Sequence, residues 1–398
     1  MIFRLRFFVI SAALLFVGFI GWRGYVYFFD TTDPIIALIG VDSDHYYAGD
    51  MQCALSSSKS GEVSIWLDDQ PLVANYRISA GQSGHPFTIP TKTIANGKHM
   101  LKALVTDGTY RKKSAKIENQ FYVDNTPLQA ALVKTDDEYK VFQGRTLHVQ
   151  FQVNKEIEKA KIAVLSHEYD CYPESKNSPI YEAFIPIACE ENPSEYLFSV
   201  DITDRVGNSA RLDNKFQIVM FPFKTHTLNV SSQKVQEELE IGKNDKNFND
   251  IIQQLTDLSP KEKLWKGAFC TPIEVQRIST EFGTVRTTQY KGRYAHKALD
   301  ILNLPRTVVW SSQDGVVVLK ERFPMSGNTV IVDHGLGVLS MYFHLEDFAK
   351  IEVGQKIAKG NPLGTLGKTG YASGYHLHWE MRVNNVAVDP MQWTKPLF

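Results

Sequence analysis

One stretch near the C-terminus reads His376-Leu377-His378-Trp379-Glu380. Because residues i and i+2 of a β-strand project from the same face, this alternation predicts a strand that turns both histidines to one side and buries Leu377 and Trp379 on the other. Glu380 would lie on the same face as the two histidines, either as a partner of His378 or as a surface carboxylate. Short Val- and Ile-rich segments separated by glycine turns fill the last third of the chain, which predicts a compact antiparallel β domain.

The same third of the chain contains further side chains of the kind that bind metals. His296 and Asp300 occur as His-x-x-x-Asp, and His344 lies between them and the His376/His378 pair. A catalytic zinc takes three protein ligands and keeps one position open, and mixed His and Asp ligation without thiolate suits such a site. These spacings predict a hydrolytic zinc site, with one histidine of the pair on the metal and the other beside the reacting water.

Five short motifs in this region resemble those of the lysostaphin/LytM-type metallopeptidases. They are His-x-x-x-Asp, Asp-His-Gly at 333–335, Tyr-x-His-Leu, Gly-x-Thr-Gly at 367–370 and His-Leu-His, and they occur in the family's order. The match as a whole extends from Phe282 to Trp393. Each motif alone is weak, and the specificity lies in their order and spacing. The resemblance implies an antiparallel β metallopeptidase that hydrolyses peptide cross-links of bacterial peptidoglycan.

The resemblance also implies a role for each of five positions. It assigns one Zn²⁺ per catalytic domain to His296, Asp300 and His378, where the metal would activate water and polarise the scissile carbonyl. His376 and His344 would line the open side. Imidazole can take up and return a proton near neutral pH, so His376 is the predicted general base and later proton donor. His344 would orient substrate or stabilise the oxyanion, and the two roles could be exchanged.

Several functions remain open at this point. Family members cut glycine-containing bridges or the D-Ala to diaminopimelate bond, and we favour a D,D-endopeptidase. The main alternative is a non-enzymatic, peptidoglycan-binding regulator of cell-wall amidases, because some family members lost their ligands and act as activators. The five intact positions favour an enzyme. A zinc peptidase acting on proteins and a wall-binding adhesin are further alternatives.

The N-terminus predicts export. Arg4 and Arg6 precede an uncharged apolar run over residues 7–22, which as a helix covers about 24 Å, against a hydrocarbon core of about 30 Å. Arg23 can snorkel, and the aromatic residues 25–29 suit a membrane interface. The leading arginines predict a single-pass inner-membrane protein with its N-terminus in the cytoplasm and its catalytic domain in the periplasm or extracytoplasmic space. A cleaved signal peptide is the alternative.

Two segments between the anchor and the C-terminal domain have the pattern of β modules. Residues 31–127 and 128–223 contain alternating strands, for example between Leu147 and Val153. The Asp-x-x-Gly-Asn turn at 204–208 and the Val-Asp-Asn-Thr-Pro seam at 123–127 resemble bacterial immunoglobulin-like modules. They predict two small β-sandwiches in tandem, and one larger β domain is the alternative.

The predicted fold class is therefore mainly β. Its segments are a cytoplasmic tip and transmembrane anchor (1–30), an immunoglobulin-like module (31–127), a second such module (128–223), a helical linker (224–263) and a lysostaphin/LytM-type zinc peptidase domain (264–398). The predicted partners are peptidoglycan, the inner membrane through the N-terminal helix, and cell-envelope proteins through the β modules.

Charge and cysteine content bear on the class of ligand and on possible disulfides. The 398 residues carry a formal net charge of −1 with no basic domain, so the electrostatic pattern of nucleic-acid binding is absent. Cys171 and Cys189 lie in a polar segment of an exported chain. They are either a local disulfide or two unrelated thiols.

Overall fold

The computed structural model describes residues 2–81, 84–134, 139–227, 248–288 and 292–396, together with 233, 235–237, 240 and 241. The chain divides into two compact units, residues 1–127 with 204–208 and residues 128–203 with 209–398. Strands dominate both, and the prediction of a mainly β chain with an N-terminal apolar helix is confirmed.

The first unit begins with the apolar helix. Helix α1 spans Ile2–Phe29, and its residues Ile10–Phe29 have a mean hydropathy of 1.4 with no part of that segment buried in the protein. Both a membrane anchor and a signal sequence have this length and composition. The helix therefore agrees with export and leaves the anchor as a proposal.

Two sheets complete the first unit and share one apolar core. Its strands are β1 (Ile36–Ile39), β2 (Tyr46–Tyr47), β3 (Met51–Ser57), β4 (Gly61–Leu67), β5 (Gln70–Ile78), β6 (His85–Ile89), β7 (Gly97–Asp107) and β8 (Ser114–Val123). The sheet orders are β1-β3-β6 and β2-β8-β7-β4-β5. Leu101, Ala103 and Val105 are fully buried on β7, as their alternation predicts, and they pack with Leu55 of the other sheet. This arrangement is consistent with the predicted immunoglobulin-like module.

The second unit begins with another pair of β-sheets, in residues 128–223, which we call the second module. Its strands are β9 (Ala130–Leu132), β10 (Lys140–Phe142), β11 (Thr146–Val153), β12 (Ile157–Val164), β13 (His167–Asp170), β14 (Tyr172–Pro173), β15 (Ile180–Pro186), β16 (Glu195–Asp204) and β17 (Ser209–Val219). The sheet orders are β14-β15-β11-β9 and β10-β17-β16-β12-β13. Cys171 and Cys189 are buried free thiols, and burial raises the pKa of each to about 12. The structure contains two separate thiols there.

The C-terminal domain is built on one large sheet. Its elements, with the strand and helix that lead into it, are β18 (Thr225–Thr227), α2 (Phe248–Asp257), β19 (Arg277–Thr280), β20 (Val285–Thr288), β21 (Gly292–Ala295), β22 (Leu299–Leu302), β23 (Val308–Trp310), β24 (Gly315–Phe323), β25 (Gly327–Asp333), β26 (Val338–Phe348), β27 (Lys356–Ile357), β28 (Pro362–Leu366), β29 (Leu377–Val383), β30 (Val386–Val388) and α3 (Pro390–Trp393). The main path is β19-β22-β29-β26-β25-β24-β27, and β18-β20-β21 form a small separate sheet. Leu377 and Trp379 are fully buried, as predicted.

Helix α2 covers the sheet face that bears His378. Its apolar residues at helical spacing bury Ile252 against Leu339 and Met341 of β26. Phe248 packs edge-on against Phe343, with ring centroids 5.6 Å apart. Residues 228–232, 234, 238, 239 and 242–247 of the predicted helical linker lie outside the described residues.

Candidate active site

Three of the predicted site residues converge between two neighbouring strands. Asp300 of β22 lies directly opposite His378 of β29, and His296 precedes β22 in the loop that follows β21. One donor atom from each residue lies within 4.8 Å of the other two. Asp300 Oδ1 is 3.2 Å from His296 Nε2 and 3.0 Å from His378 Nδ1. The fold thus brings together side chains that are up to 82 positions apart in the chain.

The donor set suits a metal ion. Two imidazoles and one carboxylate supply three ligands and leave a position open, as in catalytic zinc sites. His296 Nδ1 is buried and has no hydrogen-bond partner among the described residues. Without a cation, His296 Nε2 carries the hydrogen and donates to Asp300. In the tautomer with the hydrogen on Nδ1, Nε2 keeps a lone pair that can bind a cation beside Asp300. The chemistry of these residues therefore fits the predicted ion.

The other two predicted residues lie beside this cluster. The rings of His344 and His376 have centroids 4.7 Å apart, and His376 Nε2 is 3.9 Å from Asp300 Oδ1. Nδ1 of His344 bonds the carbonyl of Thr369 at 2.8 Å, and Nδ1 of His376 bonds the carbonyl of Gly374 at 2.9 Å. A carbonyl oxygen only accepts, so both Nδ1 atoms must carry the hydrogen. In the neutral rings both Nε2 atoms are therefore proton acceptors.

A β-bulge aims His344 at the site. Between Asn328 and Val330 the register of β25 against β26 shifts by one residue, and His344 occupies the extra position with φ of +61°. Its N–H donates to Ser326 O at 2.8 Å. Left-handed backbone at a residue other than glycine costs about 1–3 kcal/mol and is concentrated at functional sites. The surrounding strands therefore hold His344 in a conformation that it would not adopt alone.

The Gly-x-Thr-Gly motif forms the wall behind His344. Its Thr369 accepts the Nδ1 hydrogen of His344, and its Gly370 meets Gly327 so closely that a β-carbon on Gly370 would lie 2.3 Å from the Gly327 nitrogen. Both glycines have positive φ, +76° and +67°. Only glycine permits this approach, so the motif forms a turn beside the site.

Burial and mutual contacts shift the pKa values of the cluster. Burial alone would raise the pKa of Asp300, but hydrogen bonds from His296 and His378 hold it far below the usual range. Burial lowers the pKa of His378, yet its bonds to Asp300 and Glu380 outweigh burial and raise it to about 9. Burial, aided by the neighbouring imidazoles, lowers the pKa of His344 to about 3. At neutral pH Asp300 is ionised and His344 is neutral.

Comparison with protein-family models assigns this segment. The model of peptidase family M23 matches residues 294–390, which contain all five predicted site residues. The C-terminal domain is a peptidase M23 domain. M23 is a family of metallopeptidases, and the His/Asp cluster is the candidate metal site of the domain.

Curated relatives match part of the chain. Peptidoglycan DD-endopeptidase ShyA of Vibrio cholerae serotype O1 is 32% identical over 154 residues, which cover 38% of this chain and 33% of that protein. DD-carboxypeptidase/endopeptidase Mpg of Neisseria meningitidis serogroup B is 34% identical over 132 residues, 33% of this chain and 30% of that protein. The chain spans about a third of the length of these relatives.

Two solved structures that align with part of the chain are peptidases. A putative peptidase M23 from Pseudomonas aeruginosa aligns with a TM-score of 0.48 and 21% identity, over 64% of this chain and 94% of that one. Lysostaphin from Staphylococcus simulans aligns with a TM-score of 0.27 and 23% identity, over 31% of this chain and 53% of that one.

Two contacts of the His296, Asp300 and His378 cluster could not be predicted from the sequence. Arg286 of β20 places Nη2 3.6 Å from Asp300 Oδ2 and 3.1 Å from Thr280 Oγ1. It therefore engages the carboxylate oxygen that faces away from the two ligand imidazoles. Phe343 stacks on the ring of His378, with centroids 4.9 Å apart and planes 7° from parallel. No motif or spacing in the sequence marks either residue.

Glu380 anchors His378 from behind. The carboxylate is 4% exposed, and its Oε2 lies 3.6 Å from His378 Nε2. Arg382 Nε donates to Glu380 Oε1 at 2.6 Å, and Arg382 Nη1 donates to Asn385 Oδ1 at 2.8 Å. Burial raises the pKa of Glu380, but the charge of Arg382 and the bond to His378 lower it to about 2. Of the two roles the sequence allowed for Glu380, the structure agrees with a partner of His378.

Glu380→Gln should weaken Zn²⁺ binding by about 10- to 100-fold, the usual effect of losing a carboxylate behind a ligand histidine. Competitive titration against a chromogenic chelator measures this without reference to turnover. Glu352→Gln is the matched control, because the Glu352 side chain is 85% exposed. Equal zinc affinity in the two variants would contradict the role of Glu380.

Proposed function

We propose that this protein is a zinc-dependent endopeptidase that hydrolyses peptide cross-links of bacterial peptidoglycan. The observation that carries the proposal is the convergence of His296, Asp300 and His378, with the acceptor nitrogens of His344 and His376 beside them. The names of the relatives, peptidoglycan DD-endopeptidase among them, support the substrate and a D,D bond. The proposed metal is one Zn²⁺ per M23 domain.

His296, Asp300 and His378 would hold the zinc, which when bound supplies Lewis-acid activation of water and of the scissile carbonyl. His376 accepts the proton of the attacking water at Nε2, because its Nδ1 hydrogen is engaged by Gly374 O. The imidazolium so formed returns a proton to the leaving amine. His344 presents the same tautomer, so it can donate to an oxyanion only after it has gained a proton at Nε2.

We also propose a location for the enzyme. Helix α1 would remain as a single-pass anchor in the inner membrane, with the M23 domain in the periplasm or extracytoplasmic space. Arg4 and Arg6 before the apolar segment, and the length of Ile10–Phe29, support this orientation. The location gives the site access to peptidoglycan.

Digestion of purified sacculi tests the function. The zinc-loaded full chain should release soluble fragments with new amino termini, read by mass spectrometry, and the amine of diaminopimelate should be among them. His376→Ala should slow release by about 10²- to 10⁴-fold, the typical contribution of a general base. Sacculi that bind the protein but yield no new termini would favour the regulator of amidases instead.

A further inference from the structure

The end of helix α1 is built into the first β module. The N–H of Tyr110, in the loop between β7 and β8, donates to Tyr27 O at 2.9 Å, and Arg111 Nε donates to Phe28 O at 3.4 Å. The last carbonyls of a helix have no partner within the helix. Here the module satisfies two of them, so the loop lies at the height at which the apolar helix ends.

An ion network around the buried Asp107 stabilises this junction. Lys59 Nζ lies 2.8 Å from Asp30 Oδ2, just past the helix, and 3.3 Å from Asp107 Oδ2 at the end of β7. Asp107 Oδ1 in turn accepts from the backbone N–H groups of Thr109 and Lys113, at 3.2 and 3.1 Å. The Asp107 side chain is fully buried. One carboxylate thus shapes the loop and ties it, through Lys59, to the helix end.

The loop presents an aromatic ring and consecutive cations. Tyr110 is 68% exposed and packs on Phe28, with ring centroids 5.7 Å apart. Arg111 and Lys112, the next two residues, are exposed. Tyrosines favour the membrane interface, and basic groups are attracted to anionic headgroups. Both types of side chain stand beside the helix at the depth where headgroups begin.

We propose that the loop Tyr110–Lys113 is a membrane-contact site that binds anionic phospholipid headgroups at the surface from which α1 emerges. Tyr110 enters the interface beside Phe28, and Arg111 and Lys112 pair with lipid phosphates. The inference rests on the proposed anchor, since a cleaved helix would leave the loop without a bilayer beside it. It is independent of the chemistry of the M23 domain.

Tryptophan quenching by brominated lipids tests the contact. The full chain with Trp22→Phe, which removes the tryptophan inside the helix, is placed in nanodiscs of phosphatidylglycerol and phosphatidylcholine. Tyr110→Trp should add emission that brominated lipid quenches. Tyr76→Trp, at a half-exposed site on β5, should add emission that it does not quench. Unquenched emission at position 110 would overturn the proposal.

Bromine on one lipid at a time tests the headgroup. Brominated phosphatidylglycerol should quench Trp at position 110 more than brominated phosphatidylcholine, with a local enrichment of about 5-fold for each cation. Arg111→Gln with Lys112→Gln should equalise the two lipids. Equal quenching before that change would overturn the recognition of anionic lipid. N-terminal sequencing of protein from cells shows whether α1 is retained, and its loss would overturn the proposal while sacculus digestion still reports on the enzyme.

Discussion

Replacing His296 by alanine should abolish zinc binding and turnover together, whereas replacing His376 should slow turnover strongly and leave the metal bound. His296 supplies one of three converging donor atoms, and two ligands hold a zinc ion far less well than three. His376 Nε2 lies 3.9 Å from Asp300 Oδ1, and the proposed role of His376 is proton transfer. Its loss should lower kcat by about 10²- to 10⁴-fold.

Zinc content after dialysis, measured beside the release of fragments from sacculi, separates these outcomes. His167→Ala is the control, because this exposed histidine of β13 bonds the nearby Leu165 carbonyl and belongs to the second module. It should retain both metal and activity. An active His296→Ala protein, or a His376→Ala protein that loses its zinc, would show that the site is assigned incorrectly.

Phe184→Ala should destabilise the M23 domain although Phe184 belongs to the second module. Phe184 of β15 is 4% exposed and packs between Trp265 and Trp393, with ring centroids 5.5 and 5.6 Å away. Truncation of a buried phenylalanine typically lowers the free energy of unfolding by about 3–5 kcal/mol. Because its partners are tryptophans of the M23 domain, that domain should unfold at lower denaturant concentration.

Tryptophan fluorescence during denaturant unfolding is a selective measurement here. The second module, residues 128–223, contains no tryptophan, so the emission reports on the rest of the chain. Leu197→Ala is the control, since Leu197 is an apolar residue of the same module that is 76% exposed. It should change stability by at most about 0.5 kcal/mol. A tryptophan transition that Phe184→Ala leaves in place would mean that the module and the domain unfold independently.

A second contact lies near the packing of Phe184 on the M23 domain. Glu182, two residues before Phe184, is 1% exposed and accepts from Lys263 Nζ at 2.7 Å, while its other oxygen lies 2.8 Å from His148 Nε2. Burial would raise the pKa of Glu182, but these two partners lower it. A buried carboxylate is costly unless it is paired, so Glu182 links the second module to Lys263, the last residue before the M23 domain.

The sequence was most informative where the relevant geometry is local. Alternation predicted the strand that bears His378 and the buried Leu377 and Trp379, although the strand begins at Leu377 and His376 lies just before it. Antiparallel pairing then sets Asp300 opposite His378. The apolar N-terminal helix was equally readable, because composition and length alone define it.

Features that depend on register or on distant packing could not be predicted. His344 reaches the site through a bulge, and regular alternation would have turned it away from the side of its neighbour Phe343. Arg286 meets Asp300 across the join between two sheets. The seam at Phe184 joins segments that are about 80 and 210 positions apart in sequence, and no local pattern reports such a contact.

The path of the chain after the second module determines which residues must accompany the M23 domain when it is transferred to another protein or recombined. After residue 223 the chain adds β18 in parallel to β20, whose Arg286 contacts Asp300, and then packs α2 against β24, β25 and β26. The M23 domain therefore borrows a strand, a helix and part of its core from residues that precede the predicted boundary at 264. Phe184 of the second module also packs in the core of the domain. The smallest catalytic fragment that can be transferred to another protein would therefore begin near residue 128, and recombination should keep residues 128–398 together.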